Sequence, residues 1–529
     1  MKRLALIAVC SILLSSCQGA KLVRVSLGGP PAEKPKIEKL VDLGSLHVPR
    51  EGELDLTESD GMFVAGEWVA MVGTGLNTDQ AKLLLDGKEV PIAAGIQGGG
   101  LLFRLPRDVK FRHAYTARVE TPSGTDEITL PVTNLLVMGD PKGNRLLVWR
   151  TSPEEKKVFN DDSCSLACPG VGPFAHSPEG GVLYVVASGG KAEPEGLSRF
   201  ELKTVHLGSK NVSKEVASTG FETRYPPISF AVAKGGSHGF LLTKGELAVF
   251  DLSDQERPKF VARQVLPVLS KDAAPGYGSL VLLAGGSAAV VLDEPNNRVL
   301  LIDLSVPSSP AVSGAFPTGP PAAASYSIAI AADPRNVDAL WVLTGLNTQQ
   351  VRQRLSDMWS DKPASPITTR AGLVRMELKQ NTLVADGPVD LPEGAMPLGL
   401  MIEANGDVLV SAVAYEKETF AKSGLSFQGA WTFVKGVWGS LFAGRIYRVT
   451  PNGNVSVEVT SINMLLSMAR IEGGPLVYST YRWSMDYVPP SVNVVLAVDV
   501  LKSQRLPVRE LQWKMILPPY AFFPEIMVL

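Results

Sequence analysis

Few residues in this chain are equipped for chemistry. There are five histidines, His47, His113, His176, His206 and His238, and four cysteines among 529 residues. No two histidines stand at metal-ligand spacing, and no His-Glu-x-x-His, Gly-x-Ser-x-Gly or P-loop pattern occurs. Cys164 and Cys168 lie together in DDSCSLACPG, with His176 the nearest further ligand. A structural zinc needs about four such groups, so the ligand count falls short. A small-loop disulfide between Cys164 and Cys168 is the expectation, with no metal and no cofactor. Asp251, Asp303 and Asp499 recur after similar apolar strands. They could form a ring of acids, but an aspartate that bonds the backbone two residues on, capping a turn, explains the recurrence equally and is preferred.

The other concentration of reactive surface is aromatic. Residues 415–445, YEKETFAKSGLSFQGAWTFVKGVWGSLFAGR, carry Phe427, Trp431, Phe433, Trp438 and Phe442 among glycines and lysines. Such side chains present an apolar body with a polar tip, which suits a partner pocket or a membrane interface. A loop folded back as a lid is the competing reading. A second departure from the surrounding pattern, residues 347–366, spaces Val351, Leu355, Met358 and Trp359 along one helical face.

The opening MKRLALIAVCSILLSSC has two cations, a short apolar run and then small residues. That is the order of an export signal, and the run is shorter than the roughly 20 residues a membrane span needs. Leu14-Ser15-Ser16-Cys17 resembles the bacterial lipobox, which implies a lipid on Cys17 and loss of residues 1–17 as a signal. Gln18 in place of an aspartate points to the outer membrane under that family's sorting habit. Lys plus Arg number 51 against 53 Asp plus Glu, a formal charge of −2, which argues against nucleic-acid binding.

The elements that must position these groups read as strands. Residues 18–40 look like a Gly-Pro-rich tether. From 41 to 133 short alternating strands follow, with a hairpin signal at Asp86-Gly87. The succession V-x-G-x-G, a D-G turn, FRLP and V-x-T-P-S-G is similar to the immunoglobulin-like IPT/TIG module, which implies a spacer or interaction domain. From 134 to 529 the chain repeats itself. LAVFDLSDQERP (247–258) aligns with VLLIDLSVPSSP (299–310), and GLSRFELK (196–203) with GLVRMELK (372–379). A unit of strand, turn, strand, turn and x-V-x-D-L strand resembles a blade of YVTN, NHL or WD40-like propellers.

The expected fold is therefore all-β: an Ig-like β-sandwich, then a β-propeller of about seven blades. PPYAFFPEIMVL (518–529) would supply the inner strand that the first blade lacks. In anchor and architecture this layout resembles the propeller lipoprotein of the barrel-assembly machinery. It implies a non-catalytic scaffold in an envelope assembly, with an unnamed protein partner and a membrane lipid anchor. A lactonase-like hydrolase and a surface glycan binder are the alternatives. No site motif of the enzymatic propellers matches this sequence.

Overall fold

A computed structural model of the chain describes residues 33–44, 49, 54, 56, 61, 63–76, 80–96, 99–140, 144–152, 164–178, 180–189, 198–207, 214–225, 227–266, 280–293, 296–319, 327–345, 370–393, 395–415, 442–461, 464–483, 491–499, 504–506, 513–514 and 526–528. Among them every extended element is a strand in an antiparallel sheet, and the chain divides into two compact units. The first runs to Pro106 and resumes over His113–Val132; the second takes Arg107–Arg112 and nearly everything from Thr133 on.

The first unit is built from two four-stranded sheets. One orders Lys36–Gly44, Trp68–Thr74, Gly100–Arg104 and Ile92–Ile96; the other orders Lys88–Val90, Lys82–Leu85, Ala114–Thr121 and Gly124–Pro131. Period-two alternation drives this arrangement. Tyr115, Ala117 and Val119 are buried while Ala114, Thr116 and Arg118 are exposed, as a half-buried strand requires. The expected hairpin turns at Asp86 (φ 49°) and Gly87 (φ 79°), the two positive values that a type I′ turn demands. Asp86 also accepts the Thr116 amide at 2.8 Å and meets His113 Nε2 at 2.6 Å. Chiefly that amide bond, and then His113, holds its carboxyl below the usual value.

The C-terminal part of the segment read as a tether is a strand. Strand Lys36–Gly44 begins inside the segment read as linker, pairing Lys36 with Thr74 and Val41 with Ala70. Its charged residues misled the reading: Lys36, Glu38 and Lys39 are exposed on a strand at the sheet's edge, where charge discourages further pairing.

Among the described residues the second unit contains seven sheets of four or five strands, six of them made from consecutive segments of chain. Blade 2 runs Phe174–His176, Val182–Ser188, Ser198–His206, Lys214–Thr223; blade 3 runs Pro227–Val232, His238–Thr243, Glu246–Asp251, Lys259–Val265. Blade 4 runs Leu280–Leu283, Ala288–Asp293, Arg298–Asp303, Ala311–Pro317; blade 5 runs Ser327–Ala332, Ala339–Thr344, Gly372–Lys379, Thr382–Ala385. Blade 6 runs Ala395–Ile402, Val408–Tyr415, Phe442–Val449, Val455–Ser461; blade 7 runs Met464–Arg470, Leu476–Trp483, Ser491–Asp499, Gln504–Leu506. The repeats found in the sequence are all third strands of blades. First strands of successive blades lie side by side from blade 2 to blade 7.

Blade 1 takes Leu135–Asp140, Arg145–Arg150 and Cys164–Ala167 from the start of the unit and Ile526–Val528 from the end of the chain. Met138 faces Ile526 and Leu136 faces Val528, and the same terminal strand touches the first strand of blade 7. This unit is a seven-bladed β-propeller closed by its C-terminal strand.

Packing between blades is apolar. Leu292, Leu301, Ile330, Leu340 and Val342 fill the seam between blades 4 and 5. Blades 2 and 3 are joined by rings: Phe250 lies 5.2 Å from Phe221 and 6.4 Å from Phe230, and Tyr184 lies 6.4 Å from Phe230. Strands buried on both faces explain why third strands such as LAVFDL read as continuous apolar runs rather than alternating ones.

Candidate functional site

Antiparallel pairing gives each blade two ends. The connections from strand 1 to 2 and from 3 to 4 lie at one end; the connection from 2 to 3, and the exit towards the next blade, lie at the other. Residues 345–371 join strands 2 and 3 of blade 5, and residues 416–441 join strands 2 and 3 of blade 6. Both therefore leave the ring at its 2→3 end. The counterparts in blades 3 and 4 span only residues 244–245 and 294–297. At the opposite end the 1→2 turns are tight, closed by bonds such as Ser177 N to Val182 O at 2.8 Å and Glu403 N to Asp407 O at 2.9 Å.

Phe442 opens the third strand of blade 6 opposite Tyr415. Phe427, Trp431, Phe433 and Trp438 lie outside the described residues, as do Cys17, the export segment and residues 347–366.

The cysteine expectation needs correction. Cys164–Ala167 is an extended strand paired residue by residue with Arg145–Val148, and the Cys168 amide continues the ladder to Asn144 O at 2.8 Å. At about 3.3 Å per residue, four steps put the two Cα atoms roughly 13 Å apart. A disulfide tolerates no more than about 7 Å. The spacing would suit a bridge across a turn, but here the neighbouring strand holds the segment straight. Cys168 is buried.

Three of the four described histidines belong to different strands. His176 ends the first strand of blade 2, His206 ends the third strand of that blade, His238 starts the second strand of blade 3, and His113 belongs to the other unit. His176 is reached by solvent yet densely surrounded; this burial, and then the Arg107 charge, lowers its pKa. No cluster of three potential metal ligands occurs among the described residues. Two of the recurrent aspartates cap turns. Asp251 Oδ1 accepts the Ser253 amide at 2.9 Å, and Asp303 Oδ1 accepts the Ser305 amide at 2.8 Å. Asp499 ends the third strand of blade 7, and its side chain is outside the described residues.

The densest chemistry is one that the sequence reading missed. At the 1→2 end of blade 6, Arg448 Nη1 reaches Glu403 at 2.6 Å and Asp407 at 2.5 Å, while its Nε reaches Glu458 at 2.9 Å. Arg470 of blade 7 meets Glu403 at 2.7 Å and Glu458 at 3.4 Å, so the network crosses the seam. The Arg448 bonds are the main cause that depresses the Glu458 carboxyl, and the acids raise Arg448 in turn. Blade 5 carries a looser version, with Asp333 buried between Arg335 at 3.4 Å and Arg375 at 3.5 Å. Arg335 also lies against Gly406 of the next blade, where a Cβ would fall 2.0 Å from the guanidinium carbon. The charges pair with one another across the seam and so fasten blades 6 and 7 together, although Glu403 Oε1 and Arg470 Nε make no hydrogen bond.

No protein-family model matches the sequence, and no curated protein matches it. Solved structures with a similar fold include the periplasmic gluconolactonase of Pseudomonas aeruginosa, 13% identical, with a TM-score of 0.47, covering 71% of this chain and 96% of its own. A functionally unknown protein from Desulfotomaculum acetoxidans is 12% identical with a TM-score of 0.44, covering 70% and 95%. Virginiamycin B lyase from Staphylococcus aureus is 12% identical with a TM-score of 0.37, covering 75% and 96%. Likeness of this degree carries no argument about activity.

Proposed function

We propose that this chain is a lipid-anchored envelope protein whose propeller binds a protein partner at its 2→3 end, with the sandwich as an IPT/TIG-like spacer. The observation that carries the reading is the position of the two longest connections. Residues 345–371 and 416–441 both leave that end, in adjacent blades, and the second holds the aromatic-rich sequence. Binding loops raised on a rigid scaffold are a common division of labour, because the scaffold supplies order that the loop need not. Tryptophan anchors at such a surface can each contribute about 2 kcal/mol or more to an interface.

The test is Trp431→Ser with Trp438→Ser in the intact lipoprotein. Crosslinked partner recovery should fall at least about tenfold while the melting temperature stays within about 2 °C of the parent. A large loss of stability with unchanged recovery would instead assign these rings to a lid. The anchor is tested separately. Cys17→Ala should abolish incorporation of labelled fatty acid and release the protein from membranes, since acyl chains supply the affinity. Retained labelling would remove the lipobox reading.

A lactonase-like hydrolase is the rival. It would place acids and a histidine on the first strands around the channel, whereas the described first strands carry His176 and Arg470 as their ionisable residues. Lactone turnover by the purified chain, lost on His176→Ala, would favour that reading over the scaffold.

A further inference from the structure

We infer that Arg107–Arg112 straps the ring shut at its closing blade, joining blade 7 to blade 2 across the 1→2 end of blade 1, as a second clasp beside the C-terminal strand. These residues group with the propeller, although the strands that flank them in sequence, Gly100–Arg104 and Ala114–Thr121, belong to the sandwich. Val109 is 6% exposed, so the segment is packed against the protein, while Arg107, Asp108 and Lys110 are open to solvent. The seam it crosses is the one place where the ring is closed by remote pieces of chain. That pairing is three residues long, from Met138 opposite Ile526 to Leu136 opposite Val528. Bringing such distant ends together costs entropy that grows with the chain between them.

The strap touches three blades in turn. In blade 1 the inner strand is Ile526–Val528, so Leu135–Asp140 is its second strand and Arg145–Arg150 its third. Asn134, before the second, and Ser152, after the third, therefore lie at the 1→2 end. Arg112 donates its amide to Asn134 Oδ1 at 2.9 Å and its Nη2 to Ser152 O at 3.0 Å. Asn134 is itself buried, and its own amide donates to Thr151 Oγ1 at 2.9 Å. In blade 7 the 1→2 turn between Met464–Arg470 and Leu476–Trp483 holds Glu472 and Gly474. There the Phe111 amide donates to Glu472 O at 3.1 Å, and Lys110 Nζ lies 3.8 Å from Glu472 Oε1. Gly474 leaves the space that Phe111 fills: a Cβ on it would fall 2.9 Å from Phe111 Cβ and Cγ. In blade 2 the 1→2 turn holds Pro178, whose carbonyl accepts Arg107 Nη1. One short segment thus binds the blades on both sides of blade 1 as well as blade 1 itself.

Two clasps on one seam reinforce each other, because forming either holds the partners of the other at high effective concentration. The strap therefore contributes most while the terminal strand is in place. The test is a cycle between the two. Arg107→Ala, Lys110→Ala and Phe111→Ala are combined, and the combination is made in the complete chain and in the chain without residues 526–529. Amide hydrogen exchange is then read across Leu135–Asp140 of blade 1 and Leu476–Trp483 of blade 7. In the complete chain the combination should accelerate exchange about tenfold or more; without the terminal strand, about twofold or less. Equal acceleration in both backgrounds, or none in the complete chain, overturns the proposal and leaves Arg107–Arg112 as an ordinary surface turn. Gly474→Ala, which alters the strap's seat and leaves the strap itself unchanged, should reproduce the acceleration in the complete chain, and exchange at the parent rate there overturns the clasp on blade 7. If the chain without residues 526–529 does not fold, Val528→Ala takes its place, and equal acceleration again overturns the proposal.

Discussion

Removal of residues 526–529 is expected to lower the melting temperature of the propeller by about 10 °C. Leu136, Val137 and Met138 are fully buried beneath the terminal strand and pair with it directly. Exposing a large aliphatic side chain costs about 1.5–3 kcal/mol, and partial exposure of three gives a loss of about 5 kcal/mol. For a unit of this size that corresponds to roughly 2 °C per kcal/mol or slightly more. The loss also opens the ring, because blade 1 would show an unpaired inner edge and blade 7 would lose its neighbour. Differential scanning calorimetry of the truncated chain is the measurement. Melting that matches the parent would count against closure by this strand.

Phe250→Ala should be almost as damaging. Phe250 is fully buried, with Phe221 of blade 2 at 5.2 Å and Phe260 of its own blade at 5.8 Å. Deleting a buried phenylalanine typically costs about 3–5 kcal/mol, part of it for the cavity left behind. Its neighbour Phe260 is 40% exposed, so Phe260→Ala should cost only about 1 kcal/mol. Urea unfolding of the two variants, with equal slopes, separates them. Equal losses would mean that the seam between blades 2 and 3 does not depend on this ring.

The propeller was legible because each third strand repeats a motif of one length and one apolar pattern. LAVFDL and VLLIDL look alike because both occupy the same slot between two packed neighbours. The closing strand was legible for the complementary reason, an apolar segment with no partner nearby in sequence. What stayed hidden depended on contacts remote along the chain. Nothing in DDSCSLACPG says that Arg145–Val148 will hold Cys164–Ala167 extended and so part the two cysteines. KIEKLVDLG carries too much charge to look like a strand until its place at a sheet edge is known. Arg448, Glu403 and Arg470 come from three different strands and turns, and each alone reads as a solvated surface residue. The aromatic segment was conspicuous by composition, yet composition fixes no geometry, and the structure supplies only the strands that flank it.

The pairing of Leu135–Asp140 with Ile526–Val528 also imposes an order in time. The residues that begin the ring leave the ribosome long before those that finish it. At about 5–20 residues per second the interval is roughly 20–80 s. Throughout it, blade 1 holds an unmatched inner edge that is apolar and ready to pair with any passing strand. Blades 2 to 6 can gather as they emerge, each on its predecessor, but the first waits for the last. Until the last strand arrives, that inner edge is the place in the ring most open to mispairing.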